Sequence, residues 1–119
     1  MQVKETNGPR FELALERLRQ GHAFSFNEVS FSVVGDSLYV SVSTTWLVEN
    51  LTEERAIHDL TRGKNVYETL LNESPAFATE VKKYSPTFLL INDDGMGSVE
   101  LARLVNERVI WAKGIVVNT

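Results

Sequence analysis

The segment Asn92-Asp93-Asp94-Gly95-Met96-Gly97-Ser98 concentrates more potential chemistry than any other stretch of the chain. Two glycines one residue apart permit backbone turns that side chains block, and loops of that kind can cradle phosphate. Asp93 and Asp94 would repel phosphate unless a divalent cation bridged them. They are too bunched for a calcium loop, whose acids alternate along the chain. A tight connection leaving a buried strand accounts for the same residues without any ligand. Only two histidines occur, His22 and His58, so a two-histidine metal site would need both, and no His-Glu-x-x-His helix is present. There is no Gly-x-Ser-x-Gly elbow to hold a serine nucleophile. Cysteine is absent, which removes disulfides, thiolate zinc sites and cysteine nucleophiles. Sixteen carboxylates do not single out an acid–base pair. The expectation is a protein with no catalytic residue, metal or cofactor.

The carboxylates matter more as a surface. Twelve Lys and Arg against sixteen Asp and Glu leave a net charge of −4, which argues against a nucleic-acid binder that must displace counterions from phosphates. The acidity is uneven. Residues 49–100 carry ten acids and five bases, a net of −5, whereas residues 1–48 net −1 and residues 101–119 net +2. Such a run is either a solvated face or a surface that steers a basic partner into contact.

The 119 residues, 43% apolar and 24% charged, suffice for one globular domain, 1–119, that buries a core without a metal or disulfide. The polar start, with Lys4, Glu5, Asn7, Gly8 and Pro9, lacks the apolar run of a secretory signal. No apolar stretch has the length of a membrane-spanning helix, so the expected location is the cytoplasm, with no membrane partner.

The elements that must position the charges read as α+β. From Arg10 to Gln20, Phe11, Ala14, Leu15 and Leu18 fall on one helical face, with Leu13 pointing away, Pro9 suiting the start and Gly21 the stop. Leu13 is then either exposed or in touch with a second element. Val29, Phe31 and Val33 alternate with serines, as do Leu38, Val40 and Val42. Gly35-Asp36 between them suits a type II′ turn that sets Val34 opposite Ser37, Val33 opposite Leu38, Phe31 opposite Val40 and Val29 opposite Val42. Phe24 and Phe26 are out of phase with Val29, which suggests a bulge or break at Asn27-Glu28. The second strand is expected to run to Trp46 or Leu47.

Thr52 suits an N-cap with Glu53 and Glu54 in the first turn, Gly63 is expected to interrupt that helix, and Ser74-Pro75 opens another. Thr87 to Ile91 reads as a strand. After it, residues 98–113 read either as a helix or, preferably, as a hairpin about Asn106-Glu107 with Leu104 opposite Val109 and Glu100 opposite Lys113. The architecture expected is an N-terminal helix and a mostly antiparallel sheet of about five strands, with a helical insertion between strands 2 and 3.

Two resemblances follow from these residues. Asp93-Asp94-Gly95-Met96-Gly97 resembles the Asp-x-Gly-x-Gly box of the gyrase and histidine-kinase ATPases, and Glu68-x-x-x-Asn72 resembles their Glu-x-x-x-Asn helix. That resemblance implies ATP and magnesium binding, with Glu68 as base, Asn72 as metal ligand and Asp93 as adenine reader. The chain departs from it in having Pro75 where the family usually has Asp and only 22 residues after Gly97. The second resemblance covers more of the chain. Phe88-Leu89-Leu90-Ile91-Asn92-Asp93-Asp94-Gly95-Met96-Gly97-Ser98-Val99-Glu100-Leu101-Ala102-Arg103, followed by Val109-Ile110-Trp111, is similar to small acidic bacterial immunity proteins of contact-dependent and related toxin systems. It implies a non-catalytic inhibitor that binds one cognate, often basic, toxin in the cytoplasm. Glu49, Glu53, Glu54, Asp59, Asp93 and Asp94 are the candidate partner-binding charges, and Trp46, Tyr67, Tyr84 and Trp111 possible anchors. A third possibility is a subunit of a larger assembly that uses the Ser-rich face of the hairpin.

Overall fold

The computed structural model describes residues 9–44, 50–93 and 98–113, excepting the side chains of residues 9–11, 93 and 98. Helix α1 (Pro9–Arg19) starts at its proline and stops at Gly21, whose φ of +88° closes the last turn while the His22 N–H reaches the Arg17 carbonyl at 2.9 Å. Leu15 and Leu18 are buried and Ala14 packs beside them, while Leu13 is 60% exposed. The side chain of Phe11 lies outside the described residues.

Strands β1 (Phe24–Phe26), β2 (Val29–Val34) and β3 (Ser37–Ser43) form an antiparallel meander. The β2–β3 register is the expected one, from Val34 opposite Ser37 to Val29 opposite Val42. In its turn Gly35 has a φ of +62° and Asp36 keeps a negative φ, as type II′ requires. At Asn27-Glu28 the expected bulge or break is a full reversal. Both residues take positive φ, +51° and +65°, the pattern of a type I′ turn, so Phe24–Phe26 becomes a strand of its own, with Phe24 opposite Phe31. The expected extension of β3 to Trp46 or Leu47 falls outside the described residues.

Helix α2 (Glu53–Glu73) begins at Thr52, whose hydroxyl accepts the Arg55 N–H at 3.2 Å. It runs unbroken through Gly63, against the expectation of an interruption. Packing explains this: a Cβ on Gly63 would overlap Val42 Cγ2 and sit 3.9 Å from Val40 Cγ1. The glycine costs helix propensity but lets the helix lie directly on β3. Ser74 then serves two helices. Its N–H donates to the Leu70 carbonyl at 2.9 Å, and its side-chain oxygen accepts the Phe77 N–H at 3.1 Å, opening α3 (Pro75–Val81).

Strand β4 (Ser85–Asp93) returns parallel to β3, from Ser37 opposite Ser85 to Ser43 opposite Ile91. The two helices are therefore a crossover, which a parallel neighbour demands. Strands β5 (Ser98–Val105) and β6 (Arg108–Trp111) complete a second antiparallel meander. Residues 98–111 form the hairpin and not the helix, with Leu104 opposite Val109 and Asn106-Glu107 at φ +52° and +65°. The β5–β6 pairing ends at Ala102 opposite Trp111, so it stops short of Glu100 and Lys113. A register shift opposite Leu90/Ile91 inserts Leu101 as an extra residue. Leu101 and Ala102 are both buried as a result, and Glu100 pairs with Arg103 at 2.6 Å. Among the described residues the sheet thus has six strands in the order β1-β2-β3-β4-β5-β6 and is mixed, one strand more than expected and parallel at its centre.

The helices cover one face of this sheet. Phe77 sits centrally, its ring centroid 5.5 Å from Phe31, 6.1 Å from Tyr67 and 6.5 Å from Phe24, all edge-to-face. A second group joins Leu51, Ala56 and Leu60 to Leu90, Leu101, Ala102 and Val109. Arg19 Nε donates to the nearly buried Glu80 at 2.6 Å and ties α1 to α3; this hydrogen bond, with a second donated to Glu16, holds the guanidinium pKa above its usual value. The opposite face carries buried Leu89 and half-buried Ser30, Ser32, Tyr39 and Ser41, with Val34, Val105 and Ile110 exposed.

Gly63→Ala is expected to lower stability by about 1–3 kcal/mol through overpacking, and adding Val42→Ala to recover part of that loss. Urea unfolding measures both, and a stabilised Gly63→Ala would refute the close contact. Tyr67 supplies a pH test. Burial, helped by the Glu68 charge, pushes its phenol pKa up. The unfolded chain then loses this proton first, so stability falls as pH rises above about 10, and Tyr67→Phe should flatten that alkaline slope in Tm.

Candidate partner-binding surface

The crossover decides which charges meet. Strands β3 and β4 run in the same direction, and residues 44–52 connect the end of β3 to the start of α2. Leu51 and Ala56 pack with Leu90 and Leu101, which places the first turns of α2 over the far end of β4. Glu53 and Glu54 therefore stand at the same end of the sheet as the backbone of Asp93, which pairs with Ser98. Both glutamates are exposed, and at the N-terminus of α2 they also oppose the positive end of the helix dipole. Arg55 beside them is half-buried and donates through Nη1 to the Asn50 carbonyl. Glu49 and Asp94 lie outside the described residues, as does the side chain of Asp93.

Asp59 differs from the other candidates. It is only 8% exposed, and its Oδ2 has no hydrogen-bond partner among the described residues. Its position explains the burial: on the continuous helix Asp59 lies three residues after Ala56 and four before Gly63, both on the buried stripe. A carboxylate there contributes little to a contact surface and leaves an uncompensated buried acceptor.

Among the anchors, Tyr67 belongs to the core, Tyr84 and Trp111 are half-buried, and Trp46 lies outside the described residues. The residues of the ATPase-like pattern do not converge. Glu68 and Asn72 are exposed on the second half of α2, which runs away from the Asp93 end of β4; Glu68 is about 20 Å along the axis from Glu54 at 1.5 Å per residue. Among the described residues no group of three His, Asp or Glu side chains could hold a metal ion.

A second feature has no counterpart in the sequence expectations. Asn27, in the β1–β2 turn, faces a row on α2 made of His58, Thr61, Arg62, Asn65, Val66 and Thr69, and the two enclose an open cleft of about 380 Å³. The row follows helical spacing, but it is visible only if α2 is read straight through Gly63.

Comparison with protein-family models, curated proteins and solved structures finds no match in any of the three. No helix among the described residues is long and apolar enough to cross a membrane.

Removing the stranded acceptor should not harm the fold. Asp59→Leu is expected to raise stability by about 1–3 kcal/mol, the scale of an unsatisfied buried polar group. A fall of that size, read by thermal unfolding, would show that the carboxylate is held by a group the fold depends on.

Proposed function

We propose that this protein is a non-catalytic binding domain whose acidic end docks a basic protein. The partner that best fits the resemblance of residues 88–111 is a bacterial toxin domain, neutralised in the cytoplasm of the cell that makes it. The observation carrying this reading is the gathering of Glu53, Glu54 and the Asp93 strand end at one end of the sheet, by a crossover whose buried residues serve the core. Exposed charges so placed accelerate encounter with an opposite charge and bias against wrong partners, and their effect shrinks as salt screens it. Burial in the complex would come from neighbouring apolar and aromatic groups, with the acids as the rim.

The proposal predicts a basic toxin domain encoded beside this chain, and the test uses that domain. Co-expression should abolish its toxicity, and the purified pair should associate more slowly as NaCl rises. Glu53→Lys with Glu54→Lys should slow association by about tenfold or more while leaving the fold intact by circular dichroism. Failure to form a complex, or association indifferent to both salt and charge reversal, would sink the proposal. So would saturable binding of ATP with magnesium that Asp93→Asn abolishes.

A further inference from the structure

Among the described residues, the cleft between α2 and the β1–β2 turn is lined by hydrogen-bond donors and by no carboxylate. His58, Thr61 and Arg62 lie on one turn of α2, with Asn65 and Thr69 following at one-turn intervals and Val66 as the apolar part of the wall. Asn27 closes the opposite side from a turn held at positive φ. The acids nearest along the helix, Glu54 one turn before His58 and Glu68 one turn after Asn65, do not line it. Asp59 is turned into the protein.

Arg62 is the centre of the argument. It is half-buried and forms no ion pair or hydrogen bond among the described residues, whereas Arg19 and Arg103 each hold a carboxylate at 2.6 Å. In a chain with sixteen acids and a net charge of −4, an unpaired guanidinium on a half-buried residue, in a cleft with no acid among its described lining residues, suits an anion. The donor set narrows the anion. A guanidinium fork can satisfy two oxygens, and the imidazole of His58 one turn before it, with the hydroxyl of the adjacent Thr61, offers donors for a third, which a carboxylate does not possess and a phosphate monoester does. Beyond that head the cleft continues as amides and a hydroxyl beside one valine, a lining suited to a polyhydroxylated body. Its volume lies within the range of small-molecule sites.

We propose that this cleft binds a small phosphate monoester of sugar or nucleotide size, its phosphate on His58, Thr61 and Arg62 and its hydroxylated body against Asn65, Thr69 and Asn27. The proposal is independent of the acidic end and of any protein partner.

The full chain is titrated with ribose 5-phosphate, inorganic phosphate, ribose and gluconate, followed by calorimetry and by the side-chain N–H resonances of Arg62 and the two asparagines. Ribose 5-phosphate should bind tightest, with inorganic phosphate weaker and ribose negligible. Arg62→Gln should weaken ribose 5-phosphate by about tenfold or more, the loss expected for a charge-assisted hydrogen bond. Asn65→Ala should weaken ribose 5-phosphate but not inorganic phosphate, and Arg108→Gln on strand β6 should change neither. The absence of binding, equal loss in Arg62→Gln and Arg108→Gln, or gluconate binding as tightly as ribose 5-phosphate would each overturn the assignment. Inorganic phosphate binding as tightly as ribose 5-phosphate would overturn the sugar-sized body.

Discussion

The fold depends on how closely α2 can approach β3. Gly63 brings the helix backbone down onto Val42 and Val40 in the middle of the sheet. With the helix at that depth, Tyr67 and Leu70 enter one hydrophobic group and Ala56 and Leu60 enter the other. The same placement lets the chain return through α3 to start β4 beside β3. Two three-stranded meanders, each pairing strands that are neighbours in sequence, are thereby joined along a parallel seam that only a long crossover can make. A bulkier residue at that position would separate helix from sheet exactly where the two meanders meet.

How much of this the sequence discloses depends on the range of the interaction. The β2–β3 hairpin is legible because six apolar residues and a Gly-Asp turn all agree on one register. The caps at Thr52 and Ser74 are legible because a side chain bonds a backbone N–H three residues away. Gly63 is misread for the opposite reason: its partner, Val42, is distant in sequence, and local propensity counts only the helical cost of glycine. The parallel seam is invisible on the same ground. Asn27-Glu28 is obscure because glutamate is a poor resident of positive φ, so the dipeptide lacks the Asn-Gly signature its conformation would normally display.

The candidate site inherits those strengths and gaps. That acids crowd the middle of the chain is a matter of counting, and two of them do stand exposed at the start of α2. Which ones share a surface is a matter of topology. Breaking the helix at Gly63 leaves Asp59 free to be an exposed charge, whereas the unbroken helix turns it inward between Ala56 and Gly63. The same break hides the donor row from His58 to Thr69, half of which lies on each side of the glycine. One residue's packing thus governs the reading of both charged surfaces on α2.

The sheet's outermost strands have a consequence of a different kind. As described, β1 has three residues and β6 has four, while the inner strands run from six to nine. Each outer strand is bent back by a tight turn through residues at positive φ, and β6 places the charged Arg108 at its start. A foreign chain seeking to extend the sheet finds only a brief ladder of open backbone groups at either border. Templated strand addition, the common route from a soluble sheet to a fibril, therefore has little to grip. Recognition is left to side chains, on the helical layer and at the sheet's ends, where charge and shape can discriminate among partners as bare backbone cannot.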